Sequence, residues 1–154
     1  MKLRINIDGA CRGNPGPGAS AVVVKDDTGK IIMEKGVFLG FETTNNKAEF
    51  TALKVALECA KELKGTEVEI RSDSQLLVRQ YSGQYKVKNQ DLAKILAEIF
   101  AKAAGFKKVT LTHVPREQNK EADALGNRTL DAVEKKNTAS GKESGAGPYQ
   151  PTLF

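Results

Sequence analysis

The sequence predicts an α/β fold, a mixed five-stranded sheet flanked by helices, on three observations. Strand-like alternation opens the chain and recurs twice before residue 41, with a short turn between the second and third segments. From residue 47 onward helical and strand-like patterns alternate, the order that builds parallel strands joined by crossover helices. The chain has 154 residues, 40% hydrophobic and 28% charged, enough to bury one core without disulfides or metals to hold it together.

"KLRINID" places Leu3, Ile5 and Ile7 on one face of a first strand, which ends on Asp8 and enters a loop of glycines and prolines, "GACRGNPGPGA". "ASAVVVK" and "KIIMEKGVFLG" are the next two strands, joined by "DDTG", whose Gly29 suits a positive-φ turn position. "TTNN" offers capping side chains to a helix over "KAEFTALKVALECAKEL", where Leu53, Ala56, Ala60 and Leu63 form an apolar stripe. "TEVEIRSD" is a fourth strand ending on Asp73, followed by a short helix in "SQLLVRQYSG". Asn89 caps a helix over "QDLAKILAEIFAKAA", with Leu92, Ile95, Leu96, Ile99 and Phe100 on one side and Gly105 at its end. "KKVTLTHV" is the fifth strand, and "NKEADALGNRTLDAVEKK" the last helix, with Ala122, Leu125 and Val133 facing in. Residues 1–136 therefore form the domain. From residue 137 the Gly/Ser-rich "NTASGKESGAGPYQPTLF" is expected to be a flexible tail.

The formal charge of +5 and pI of about 9.2 are compatible with a polyanionic partner but identify none. Cys11 and Cys59 show neither metal nor CxxC spacing, so reduced thiols in a cytoplasm are expected. "MKLRIN" alternates from the outset, so no signal peptide is expected, and no apolar run approaches membrane-span length. A monomer is the default.

Four acids stand out. Asp8 and Asp73 each close a strand. Glu49 lies four residues before Leu53, seven before Ala56 and eleven before Ala60, so helical geometry puts it on the buried stripe. Asp123 shares a face with Gly126 and Leu130 and leans inward at the first turn of its helix. Singly, each has an ordinary reading as a solvated strand end or a complement to a helix dipole. If the two strands are neighbours and both helices start at one sheet edge, all four converge. Bare carboxylates ~4 Å apart repel by roughly 4 kcal/mol at an effective dielectric of 20. Divalent cations relieve this; Mg²⁺ prefers oxygen ligands and keeps waters for a phosphate. Two such ions suit in-line displacement at a phosphodiester.

At these residues the sequence resembles the type 1 ribonuclease H family, in a branch lacking its basic protrusion. "DGACRGNPGPG", "TTNNKAE", "SDSQLLV" and "HVPREQNKEAD" match the family's four blocks in order, over roughly the first 135 residues. The resemblance implies a ribonuclease H-like sheet of order 3-2-1-4-5. It implies hydrolysis of the RNA strand of RNA–DNA hybrids, leaving 5′-phosphate and 3′-hydroxyl ends, with two Mg²⁺ per site and Mn²⁺ as a substitute. On matching positions, Asp8, Glu49, Asp73 and Asp123 look like the metal-binding catalytic acids. His113, the one histidine, stands ten residues before Asp123 and would aid proton transfer or product release. Asn14, Asn45 and Asn46 resemble contacts to the ribose 2′-hydroxyls that an A-form-like groove exposes. Thr44 and Asn89 match a pocket for a DNA-strand phosphate, though both also suit helix capping. The family's Trp-containing protrusion is replaced by "SGQYKVKN", where Lys86 and Lys88 can contribute phosphate contacts. The last residues, "QPTLF", fit the Q-x-x-L-F pattern of peptides that engage the bacterial DNA sliding clamp, with Gln150, Leu153 and Phe154 as anchors. Two alternatives stand beside this: a hybrid or double-stranded RNA binding module that lost catalysis, and another nuclease on the same fold.

Overall fold

The computed structural model describes residues 1–139. Five strands, β1 (Lys2–Cys11), β2 (Gly16–Lys25), β3 (Ile31–Thr43), β4 (Glu67–Ser72) and β5 (Lys108–His113), form one sheet of order β3-β2-β1-β4-β5. β1–β2 and β2–β3 are antiparallel, whereas β1–β4 and β4–β5 are parallel. The helices are α1 (Asn45–Glu62), α2 (Gln75–Tyr81), α3 (Gln90–Ala103) and α4 (Lys120–Ala139), the last preceded by a 3₁₀ turn at Arg116–Gln118. No described helix is long and apolar enough to cross a membrane.

The sheet is covered on both faces, and the period of two along β2 makes this legible. Val22 and Val24 join Leu3, Ile5 and Ile7 against α1 and α3, while Ala21 and Val23 meet Ala122 and Leu125 of α4 on the other side. A second contact of α4, Leu130 and Val133 with Ala19 and Phe38, extends that packing to β3. This is why residues 19–24 are apolar on both faces, with Ser20 the one polar residue among them. Each fully buried Leu or Ile here contributes about 1.5–3 kcal/mol.

Several expected boundaries move. β1 does not stop at Asp8: its parallel ladder with β4 ends at the pair Ile7–Ser72, but antiparallel pairing with β2 continues from Asp8–Ala21 to Cys11–Gly18. The two neighbours of β1 let go at different points, so Asp8 sits where the sheet parts rather than at the end of a strand. β3 runs on to Thr43, and α1 begins at Asn45 because Thr44 Oγ1 accepts from the Lys47 N–H at 3.2 Å. Phe100, expected inside, is 48% exposed and stacks on Tyr81 with ring centroids 5.2 Å apart. The boundary expected at residue 136 falls within α4, which reaches Ala139. Gln150, Leu153 and Phe154 lie outside the described residues. The hairpin turn is as expected, with Gly29 at φ +89° and the Asp26 carboxylate accepting from the Thr28 and Lys30 backbone N–H groups.

Candidate active site

Four elements deliver the four acids to one place. Asp8 stands on β1 at the parting of the sheet, and Asp73 follows directly on β4, so both stand just past the carboxyl-side end of the parallel β1–β4 ladder, the usual place for a site in such sheets. Ser72 and Ser74 hold the Asp73 turn: Ser72 Oγ accepts from the Ser74 N–H at 3.0 Å, and Ser74 caps α2. Glu49 comes from the first turns of α1. That helix lies close to β1 because residue 9 is glycine: a Cβ there would stand 2.5 Å from the Glu49 nitrogen and 2.7 Å from the Ala48 carbonyl carbon. Ser20 Oγ donates to the Ala48 carbonyl at 2.7 Å and pins the helix to β2.

Asp123 is placed by Asn119, a residue the sequence reading did not single out. Fully buried, Asn119 donates to the Ile7 carbonyl at 2.8 Å and accepts from Asn6 Nδ2 at 3.0 Å, while its own carbonyl accepts from the Asp123 N–H at 3.1 Å. The start of α4 is thereby tied to the residue before Asp8. An asparagine just ahead of a helical pattern was the available signal.

Carboxylate oxygens of Asp8, Glu49 and Asp73 lie within 4.8 Å of one another. Asp123 stands outside that trio, on the wall of the same cavity, close enough to share a hydrogen bond with Asp8. The electrostatic cost is plain. Asp8 is pushed up to about 9, first by burial and then by repulsion from Glu49, Asp73 and Asp123. Glu49 is pushed up to about 8 by burial and by Asp73, against a lowering contribution from the Gly9 N–H. Glu49 Oε1 is buried with no hydrogen-bond partner. Hard oxygen donors, an orphaned carboxylate oxygen and mutual repulsion form a set that fits a divalent cation.

The cavity, about 400 Å³, is also lined by Asn45, Cys11 and Arg116. Arg116 is the cation the sequence reading missed; its Nη2 lies 3.7 Å from the Asp123 carboxylate. His113 ends β5 opposite Ser72 and is exposed, but it is not among the residues lining the cavity. Asn14, in the β1–β2 loop, accepts from the Asn45 N–H at 3.1 Å and so meets the mouth of α1, where Thr44 and Asn46 are exposed. Asn89 caps α3 through the Leu92 N–H at 3.0 Å, apart from the acids. A larger cavity of about 780 Å³ between α1 and α3 is bordered by the ion pairs Lys54–Glu98 at 2.7 Å and Lys102–Glu58 at 3.3 Å.

The family described as "Reverse transcriptase-like" matches residues 6–129. The chain is 42% identical over 130 residues to a ribonuclease HI of Halobacterium salinarum, covering 84% of this chain and 65% of that protein; it spans 36% of a longer mycobacterial relative 41% identical to it. Among solved structures, ribonuclease H1 from Halobacterium salinarum superposes with a TM-score of 0.82 at 39% identity, over 86% of this chain and 99% of that one. A compost-derived ribonuclease H1, LC11, solved in complex with an RNA/DNA hybrid, gives 0.80 at 40% identity over 85% and 98%.

Proposed function

Since the chain belongs to the ribonuclease H family and matches the family model described as Reverse transcriptase-like, we propose that it is an endoribonuclease cleaving the RNA strand of RNA–DNA hybrids. The observation that carries this reading is the trio Asp8, Glu49 and Asp73 within 4.8 Å, with Asp123 beside Asp8 on the wall of the same cavity. Asp8, Glu49 and Asp73 would hold one Mg²⁺, and Asp8 with Asp123 a second. When bound, such ions activate the attacking water and stabilise the leaving oxygen of a phosphodiester, giving 5′-phosphate and 3′-hydroxyl ends. Mn²⁺ is expected to substitute.

The protein's own part is to bind and orient. Thr44, Asn14 and Asn89 each use a side-chain oxygen as a hydrogen-bond acceptor at a helix start, which leaves their O–H or N–H₂ donors to a ligand. We assign Asn14, Asn45 and Asn46 to 2′-hydroxyls in the wide, shallow groove of the hybrid, and Thr44 and Asn89 to a DNA-strand phosphate. His113 is assigned to proton transfer or product release. Lys86 and Lys88, exposed in the short connection between α2 and α3, add phosphate contacts.

A labelled panel of RNA–DNA hybrid, double-stranded RNA, double-stranded DNA and a four-way junction, with and without Mg²⁺, tests the assignment. Cleavage confined to the RNA of the hybrid and abolished by EDTA is expected. Cleavage of the junction, or none of any substrate, would overturn it.

The protein is proposed to act as a cytoplasmic monomer; both cysteines are free thiols, which supports a reducing setting. For the C-terminal residues we propose docking on the DNA sliding clamp, with Leu153 and Phe154 in an apolar pocket and Gln150 at its rim. Deleting residues 150–154 is expected to remove clamp binding in surface plasmon resonance while leaving hybrid cleavage unchanged. Unaltered clamp affinity would refute the docking.

A further inference from the structure

We propose that Arg12 is a positioning residue for the acid cluster, strapping the β1–β2 loop to α4 and so setting how far Asp123 stands from Asp8, Glu49 and Asp73. Arg12 is the first residue after β1, four beyond Asp8. Its guanidinium reaches three residues of α4: Nη2 lies 2.6 Å from Asp131 Oδ1 and 3.3 Å from the Asn127 carbonyl, and Nη1 2.8 Å from Glu134 Oε1. Residues 123, 127, 131 and 134 are spaced four, four and three apart, so the anchor and Asp123 lie on one stripe of the helix. Asn127 continues that stripe by donating to the Asp123 carbonyl at 3.1 Å.

The same loop holds the other acid-bearing helix. Asn14 accepts from the Asn45 N–H, the first residue of α1, and the loop closes on itself through the Arg12 N–H and Pro17 carbonyl at 2.8 Å. One short segment therefore touches both helices that present carboxylates from outside the sheet. Asp123 is the acid standing outside the trio, so its distance from the other three depends on where α4 is held. The ion pairs of Arg12 hold that helix to the β1–β2 loop. Exposed pairs are individually weak, but a planar guanidinium meeting three oxygens is fixed in geometry, so the expected effect is moderate.

The inference rests on reading the acids as metal ligands, and its test separates the two. Mn²⁺ binding to the full-length protein is measured by electron paramagnetic resonance for wild type, Arg12→Met and the double variant Asp131→Asn/Glu134→Gln, with circular dichroism to verify folding. Arg12→Met is expected to bind Mn²⁺ about fivefold more weakly, with a parallel rise in the Mg²⁺ needed for half-maximal hybrid cleavage. The double variant is expected to reproduce most of this, and adding Arg12→Met to it to cost much less than Arg12→Met does alone, since only the contact with Asn127 is then left to lose. A folded Arg12→Met that binds Mn²⁺ like wild type, or losses that simply add, would overturn the positioning role alone. Wild-type protein that binds no Mn²⁺ would overturn the metal reading itself.

Discussion

Asp8→Asn is expected to lower hybrid cleavage by about a thousandfold or more, while raising the melting temperature of the metal-free protein at pH 8. The two effects have one cause. Asp8 is only 6% exposed and faces three other carboxyl groups, so its charge is useful only when a cation answers it. An amide keeps the shape and removes the charge, leaving the cation with too few anionic ligands. Without metal, the wild-type acid at pH 8 is held protonated in the fold but ionised in the unfolded chain, which favours unfolding. Asparagine has no such bias, so its advantage is expected to shrink as pH falls and to vanish well below 3.8, where both states of the wild-type chain carry the proton. Steady-state cleavage and thermal melts in EDTA measure the two effects; hybrid binding is expected to persist. Substantial residual activity, or a lower melting temperature at pH 8, would contradict the role given to Asp8.

In EDTA the melting temperature of the wild-type protein is expected to fall as pH rises from about 4.5 to 9, and Mg²⁺ to restore it. Asp8 and Glu49 are raised from 3.8 and 4.5 to about 9 and about 8. Across that window the folded chain binds more protons than the unfolded one, so stability decreases with pH. The lowered carboxylates Asp26, Glu69 and Glu98 work the other way, but their stabilisation is lost only below their ordinary values of 3.8 and 4.5, outside the window. Mg²⁺ takes the place of the protons, so its binding strengthens with pH. At a hundredfold excess over its dissociation constant it adds about 2.7 kcal/mol, or roughly 5–10 °C for a chain of this size. Differential scanning calorimetry at pH 5, 7 and 9, with and without Mg²⁺, checks it. A Mg²⁺ effect equal at all three values would contradict the coupling.

Much of this was legible in the sequence, for reasons visible in particular residues. Glu49 could be placed because a helix converts spacing into facing, and Asp73 because β4 is short and ends at a capped turn. The sheet order came with the four matching blocks. Asp8 was located, but not the parting of the sheet around it, because that depends on how far β2 stays paired beyond the reach of β4. Phe100 has the periodicity of a core residue, yet its neighbour across the gap is Tyr81, on a helix too short to cover it. Arg116, Asn119 and Arg12 were not singled out. Their importance lies in contacts made across more than a hundred residues or in the shape of a turn, and neither leaves a period in the chain.

The central claim is that Asp8, Glu49 and Asp73, with Asp123 beside them, form a site that is complete only with divalent cations in it. The most direct measurement is anomalous diffraction from crystals grown without metal and soaked in manganese. Ions bonded to oxygens of Asp8, Glu49 and Asp73, with a second at Asp8 and Asp123, are the predicted result. Carboxylates turned away from one another, with no anomalous peak between them, would contradict it.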